Sequence, residues 1–284
     1  MVSSSIYAIF FNQLSKDVKA INATLLLYTF SFLFSFPQIA FIKGGKRVLQ
    51  GYWKEIFFIG FFTILANYCI AMAMIGLSPA VVQVLQRADV FFGAFLGWYF
   101  FKEQLSNRLW FCIFLAILGV FLMSAPFLQA KGSSQTMVLD YAFALFATLL
   151  YALTQVIAKK IVGQVKPATI NSYRLLFSNL ILWVWFSLSG HSLHLSPHIL
   201  FYGAVSGFFG PFLTRQLLMS SSRYLPLSHI FVIVTSTPVL TIFLQFIFFQ
   251  YVLTANELVG AFSILVAVVI LNLSSFKNPM GRKK

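Results

Sequence analysis

Four polar residues, Gln83, Gln86, Arg87 and Asp89, stand in the first half of an otherwise apolar run, Pro79–Phe101. A charge at the centre of a bilayer costs at least ~2.5–3.5 kcal/mol on insertion scales, so such residues face a bundle interior or a wet cavity. Counted at ~1.5 Å per residue from Pro79, Arg87 lies ~12 Å and Asp89 ~15 Å into the run, about half the depth of a ~30 Å hydrocarbon core. Arg174 and Arg215 sit inside two further apolar runs. The chemistry on offer is recognition rather than bond-making. A guanidinium fork suits a carboxylate or phosphate, and a midplane carboxylate can take up and release a proton. No cluster of His, Asp and a nucleophile with its base is present, which argues against a membrane-embedded enzyme.

Residues two apart on an α-helix point ~200° from each other. Arg87 and Asp89 are therefore expected not to pair, and Arg215 or Arg174 is expected to serve Asp89. Arg174, ~10 Å from the inner end of its run, is expected to snorkel to the cytoplasmic surface. Gln83, Gln86 and Arg87 share a face with Gly93, Ala94 and Gly97, and Asp89 lies at its margin.

The elements that must hold these residues are membrane helices. Of 284 residues, 60% are hydrophobic, 9% are charged and 35 are Phe, with mean hydropathy +0.87. That composition places the chain among polytopic all-α membrane proteins. Ten apolar runs are drawn: Val2–Leu14, Ala20–Ile42, Glu55–Gly76, Pro79–Phe101, Asn107–Pro126, Leu139–Ile161, Ala168–Ser189, His198–Ser220, Pro226–Phe249 and Thr254–Phe276. Short links make consecutive helices antiparallel neighbours. The first run is short for a membrane crossing. No Lys or Arg precedes Ile6 and no small-residue cleavage site follows, so it does not read as a signal peptide.

The formal charge of +14 does not point to nucleic acid, because the basic residues lie between hydrophobic runs and make no basic face on a soluble fold. With the N-terminus inside, the inner loops hold fourteen of the 20 Lys and Arg and the outer loops only Lys16, Lys19 and Lys131. This bias predicts a cell (inner) membrane protein with both termini cytoplasmic. Cys69 and Cys112 lie within apolar runs and form no disulfide or metal framework. His191, His194 and His198 read as a solvated outer loop; no metal and no cofactor is expected.

The two halves repeat. At a shift of 148 residues Phe100–Ser106 (FFKEQLS) lies on Phe248–Thr254 (FFQYVLT), and near the front, at about 147, Val18-Lys19 lies on Val165-Lys166. Five crossings per repeat is an odd number, so the second half must be inserted upside down, and inverted repeats place a binding site near the midplane. The division predicted is 1–130 and 131–284. By the same shift Asn67 falls on Arg215, and Arg87-Ala88-Asp89 fall on Thr235-Ser236-Thr237. Positions polar in both halves suit one shared cavity; interhelical hydrogen bonding is the plainer alternative for them.

Two five-helix repeats, each ending its fourth helix in a pattern like F-F-x-[EY]-x-L-[ST] before an apolar fifth, resemble the EamA family of the drug/metabolite transporter superfamily. Glu103 and Gly119 match that family's acid and glycine in the first repeat; Tyr251 replaces the acid in the second, and Gly260 lies earlier in its helix. Pro238 keeps the proline of helix nine, where Val90 stands in helix four, and Ser3-Ser4-Ser5 resembles the family's small-polar start. The resemblance implies a ten-helix secondary transporter whose third, fourth, eighth and ninth helices line the path.

The expected function is therefore transport of a small organic metabolite by alternating access. Asn67, Gln83, Gln86, Arg87, Arg215, Thr235, Ser236 and Thr237 are the candidate substrate contacts and Asp89 the candidate coupling residue. Three intramembrane Arg against one Asp favour a carboxylate- or phosphate-bearing substrate, first an amino acid or its derivative and second a nucleoside-type metabolite such as S-adenosylmethionine in exchange. Proton or counter-substrate coupling is open. A non-transporting membrane scaffold is the reading from another class. Gly93-x3-Gly97 and Gly203-x3-Gly207 are expected to pack helices within the bundle. Gly210-Pro211 reads as either a kink or a gating hinge. Tyr68, Phe91 or Trp98 are the aromatic residues considered for stacking on a planar substrate.

Overall fold

A computed structural model describes residues 1–40, 45–77, 79–102, 107–129, 135–190, 192–193, 195–234 and 236–249, together with the separate positions 255, 259, 260, 262, 263, 266, 267 and 270. Among the described residues all regular structure is helical. In order the elements are α1 (Val2–Asp17), α2 (Ala20–Ala40), α3 (Gly45–Gly76), α4 (Pro79–Leu85), a 3₁₀ turn (Gln86–Ala88), α5 (Asp89–Phe101), α6 (Asn107–Gln129) and α7 (Gln135–Val162). There follow α8 (Pro167–Ser189), α9 (Pro197–Gly207), a π-helical turn (Phe208–Thr214), α10 (Arg215–Ser222), α11 (Leu227–Val234) and α12 (Thr237–Phe249). Of the expected tenth run, Thr254–Phe276, only those eight separate positions are described.

Local chemistry accounts for the boundaries. Pro167 and Pro197 open α8 and α9 at the position where a missing N–H costs nothing, and Gly190 closes the run of α8 with φ 62° in the left-handed region. Segments 20–39, 50–76 and 138–162 are each long and apolar enough to cross a membrane by length and composition alone. α1 reaches Asp17, three residues beyond the expected Leu14. α3 bends at Tyr52, which leaves helical geometry at φ −133°, ψ 21°, and whose hydroxyl donates to Gln164 in the turn after α7. Many serines and threonines are buried in these helices. Their hydroxyls donate to carbonyls one turn back, as Thr24 does to Ala20, Thr63 to Ile59 and Thr148 to Ala144, so each presents a nearly apolar surface to its neighbours.

The helices pack in a set of pairs. α3 runs along α7, α2 along α8, α1 along α9 and the π turn, while α4 and α5 meet α12 and α11 respectively. The small-residue face of α9 seats on α2. A Cβ at Gly207 would come to 2.9 Å from both the Leu27 carbonyl and Phe30 Cβ, so the backbones approach as closely as they do only because that side chain is missing. Phe11, Leu14, Leu27, Tyr28, Ile70 and Met74 are fully enclosed in the main core, whereas Phe95, Trp98, Tyr99, Trp110 and Phe114 of α5 and α6 point outward. In hydrocarbon such exposure carries no penalty.

Two prolines interrupt the helical ladders, and each freed carbonyl is taken by a side chain from the other half of the chain. Pro211 has no N–H for the Gly207 carbonyl four residues back, and that oxygen lies 2.9 Å from the Ser31 hydroxyl, whose single proton it shares with the Leu27 carbonyl at 2.6 Å. Pro238 likewise leaves the Val234 carbonyl, which accepts Arg87 Nη1 at 2.9 Å and the Thr237 hydroxyl at 2.7 Å. The Gly210-Pro211 element does not break the helix. The backbone stays right-handed helical from Gly207 (φ −63°, ψ −43°) to Arg215 (φ −66°, ψ −39°) and widens into a π turn between them.

Candidate functional site

Residues of the π turn and of the 3₁₀ turn line one cavity. α1 contributes Ser4 and Tyr7 to its wall, α3 contributes Asn67, and α7 contributes Thr148, Tyr151 and Gln155; Arg174, Thr214, Arg215 and Leu218 come from α8, the π turn and α10. Gln86, Arg87 and Asp89 line the opposite side.

Asn67 is the node of the wall. Its Oδ1 accepts the hydroxyls of Tyr7 and Tyr151, each at 2.8 Å, and its Nδ2 donates to the Tyr28 hydroxyl and the Thr63 carbonyl, both at 2.8 Å. A carboxamide has two donors and room for two accepted bonds, so this one is saturated. Its arrangement is set by Gly210: a Cβ there would lie 2.4 Å from Tyr7 Cδ2, so the tyrosine ring lies directly on the π-turn backbone.

Arg87 and Arg174 are buried and Arg215 is half-buried, and the three differ in what their donors do. Arg174 is fully buried. Its Nε and Nη2 donate to Asn171 Oδ1 at 3.1 and 2.8 Å, its Nη1 donates to Thr63 Oγ1 at 3.1 Å, and its Nη2 also donates to the Pro211 carbonyl at 2.6 Å. Asn171 in turn donates to the Phe212 carbonyl at 2.9 Å. The expectation that Arg174 snorkels to the cytoplasm is overturned: its donors are taken up inside the bundle by Asn171, Thr63 and the Pro211 carbonyl.

Arg87 is partly spent. Its Nε donates to the Gln83 carbonyl at 3.1 Å and its Nη1 reaches both the Val234 carbonyl and Asp89 Oδ2, the latter at 3.3 Å. The expectation that Arg87 and Asp89 cannot pair, and that Arg215 or Arg174 serves Asp89, is therefore corrected. The 3₁₀ turn at Gln86–Ala88 advances ~120° per residue instead of ~100°, bringing positions two apart nearer the same side, and the long arginine stem closes the rest.

Arg215 is different again. Its guanidinium carbon lies 4.0 Å from the centre of the Tyr151 ring, a cation–π contact, and among the described residues it makes no hydrogen bond or ion pair. One helical turn along the same face of α7, Gln155 Oε1 is buried with no hydrogen-bond partner among the described residues. A planar cation with unspent donors and a carboxamide acceptor with an unspent lone pair thus line one enclosure.

Of the residues singled out in the sequence, Asn67, Gln86, Arg87, Asp89 and Arg215 are brought to this cavity. Gln83 is buried, at 1% exposure, but is not on the wall. Thr237 borders an adjoining apolar cavity, Ser236 is buried beside it in the chain, and Thr235 lies outside the described residues. Tyr7, Tyr151 and Gln155 were missed. The signal was available for one of them, since at the front offset of about 147 Ser4 falls on Tyr151 and both line the cavity. Tyr68 packs on Trp185 with ring centres 5.1 Å apart and Trp98 is 53% exposed, so neither aromatic faces the cavity; the side chain of Phe91 lies outside the description. Of the outer-loop histidines, His191 and His194 also lie outside it, and among the described residues no three His, Cys, Asp or Glu gather as metal ligands.

The sequence profile of the EamA-like transporter family matches residues 1–125 and 139–273. The chain belongs to the EamA-like transporter family. It is accordingly a multi-pass membrane protein of a family whose members are transporters rather than enzymes. A solved structure titled only "Crystal structure of protein" superposes with a TM-score of 0.78 over 97% of this chain and 96% of its own, at 12% identity, so the two share a fold. No curated protein matches the sequence. In this EamA-like transporter the arginine-lined cavity sits where helices from both parts of the chain meet.

Proposed function

We propose that this EamA-like protein moves a small carboxylate-bearing metabolite, an amino acid in its zwitterionic form, across the membrane, holding it at Arg215. The observation that carries the reading is the Arg215 guanidinium, laid on the Tyr151 ring with no hydrogen bond among the described residues and facing a cavity. Arginine presents paired N–H groups that match a carboxylate bidentately, and the ring beneath holds its plane. Gln155 Oε1, a turn of α7 away, is placed to accept from an ammonium. Arg87 and Asp89 form a near-neutral pair across the cavity, which leaves Arg215 to set the sign of charge the substrate bears.

The helix pairings support two oppositely inserted halves, 1–130 and 131–284, exchanging which side they open. If the halves are exchanged, the α3–α7 pair becomes the packing of α9 and the π turn on α1, and the α1–α12 contact becomes that of α4 and α5 with α7, while α2–α8 maps onto itself. Ten crossings with both termini in the cytoplasm of a cell (inner) membrane follow from the same reading and from the Lys and Arg bias. Asp89 is the proposed coupling residue: a proton taken up there would break its pairing with Arg87, and so loosen the hold of Arg87 on the Val234 carbonyl.

The test is counterflow of labelled amino acids in proteoliposomes, against a competitor panel that includes decarboxylated amines, phosphate esters and S-adenosylmethionine. Competition by carboxylates, lost with Arg215→Ala while the protein still folds, is the expected result. Competition by amines alone, or transport indifferent to Arg215, would sink the reading.

A further inference from the structure

Beside the polar cavity lies a second one, lined by α1, α10, α11 and α12. Leu217, Leu218, Leu225, Ile230, Ile233 and Val234 form most of its wall, and no charged side chain lines it. Three of the hydroxyls on its wall, those of Thr214, Ser221 and Thr237, are already engaged. Ser221 donates to the Leu217 carbonyl at 3.0 Å, Thr237 to the Val234 carbonyl at 2.7 Å, and Thr214 to the Phe209 carbonyl and Ser3 Oγ at 2.5 and 2.9 Å. These side chains thus show an occupant mostly carbon.

The two cavities are neighbours by construction. Ser4, Thr214, Leu218, Ile230 and Val234 belong to both walls. Leu218 follows Arg215 by three residues on α10, so the apolar wall begins one helical turn from the guanidinium, with Cβ atoms ~5–6 Å apart. A molecule whose carboxylate sits at Arg215 reaches this space with its next few atoms. A substrate of glycine or alanine size would leave it unfilled.

We infer that the substrate is amphipathic: an α-amino acid with a long aliphatic or aromatic side chain, its charged head at Arg215 and its side chain in the space between Leu218, Ile230 and Ile233. The inference rests on the carboxylate reading of Arg215 and adds the tail. Burying a methylene is worth roughly a fourfold gain in affinity, so a homologous series reads the pocket directly.

The experiment measures binding of glycine, alanine, 2-aminobutyrate, norvaline, norleucine and phenylalanine to the full chain in detergent, from ligand-induced thermal stabilisation. From alanine to norleucine the apparent dissociation constant is expected to fall by about fourfold per methylene, and Ile233→Trp, which fills the pocket from a wall the polar cavity does not share, is expected to flatten the series. A series that is flat in the wild type overturns the tail while leaving a carboxylate site standing if binding still needs Arg215. A steep series that survives Arg215→Ala keeps the tail and overturns the head. A steep series unchanged by Ile233→Trp places the tail elsewhere and overturns the assignment to this cavity.

Discussion

Arg174 and Arg215 are the same residue type on the wall of one cavity, and the regions around them are built to opposite ends. Around Arg174, Asn171, Thr63 and the Pro211 carbonyl take up the guanidinium donors, and the π turn is held in shape by doing so. Around Arg215 there is a tyrosine face on one side and a cavity on the other. A buried cation whose hydrogen bonds are all made within the protein is structural; one held by a ring, with donors unspent, is available to a ligand. The contrast also explains the π turn. By inserting extra backbone between α9 and α10 it changes the phase of the helix just before Arg215, and Arg174 secures that change from below.

The largest effect that could break this contrast is Arg174→Ala. It strands the Pro211 carbonyl and Asn171 in a dry interior, with an expected loss of ~3–5 kcal/mol, seen as poor yield and a strongly lowered melting temperature in detergent. Arg174→Lys should rescue little, since a single ammonium cannot serve three elements with the guanidinium's fixed fork. Normal stability of Arg174→Ala would make the two arginines equivalent and end the comparison.

Arg215→Ala should do the reverse. Melting temperature stays close to wild type, while affinity for carboxylate ligands falls by ~10–100-fold, the worth of a hydrogen bond to a charged group at about 1.5–3 kcal/mol. Isothermal titration of the variant, with Arg215→Lys as a partial rescue, checks it.

Asp89→Asn is expected to be intermediate. Arg87 keeps the Val234 carbonyl but loses its anionic partner, leaving a buried charge less compensated. Stability should drop by ~1–3 kcal/mol, and accumulation driven by a pH gradient should disappear while counterflow persists. If gradient-driven uptake is retained in full, Asp89 does not carry the coupling.

The smallest effects refine the wall beneath Arg215. Tyr151→Phe keeps the ring and removes only the hydroxyl bond to Asn67, about 1 kcal/mol, with ligand affinity nearly unchanged. Tyr151→Leu also removes the cation–π contact, and should cost a further severalfold in affinity, in line with ~0.5–2 kcal/mol for such contacts. Equal affinities in the two variants would show that the ring does not orient Arg215.

Much of the fold was legible because membrane insertion writes it into composition. Pro79–Phe101 was bounded to the residue, and Ala168–Ser189 and His198–Ser220 missed their observed limits by a residue or two, since apolar length, prolines at helix starts and polar breaks are local properties. The pairing of Asn67 with Arg215 across a cavity was legible through the repeat offset. The Arg87–Asp89 pair was not, because the 3₁₀ turn that permits it comes from packing rather than from the residues Gln86–Ala88 themselves. Nor was the tyrosine cluster on Asn67, which gathers Tyr7, Tyr28 and Tyr151 from three helices far apart in the chain.

By itself the sequence determined that this is a multi-pass helical membrane protein with a few costly polar residues at mid-depth, because hydropathy and depth are counted along one chain. Only the tertiary structure decided which arginine keeps its donors unspent. That answer depends on hydrogen-bond partners supplied across long separations, such as Thr63 for Arg174, and on the carbonyls that Pro211 and Pro238 release to side chains of other helices. Charge is the same for a guanidinium that holds the bundle together and one that faces a ligand; what differs is whether its donors are already spent.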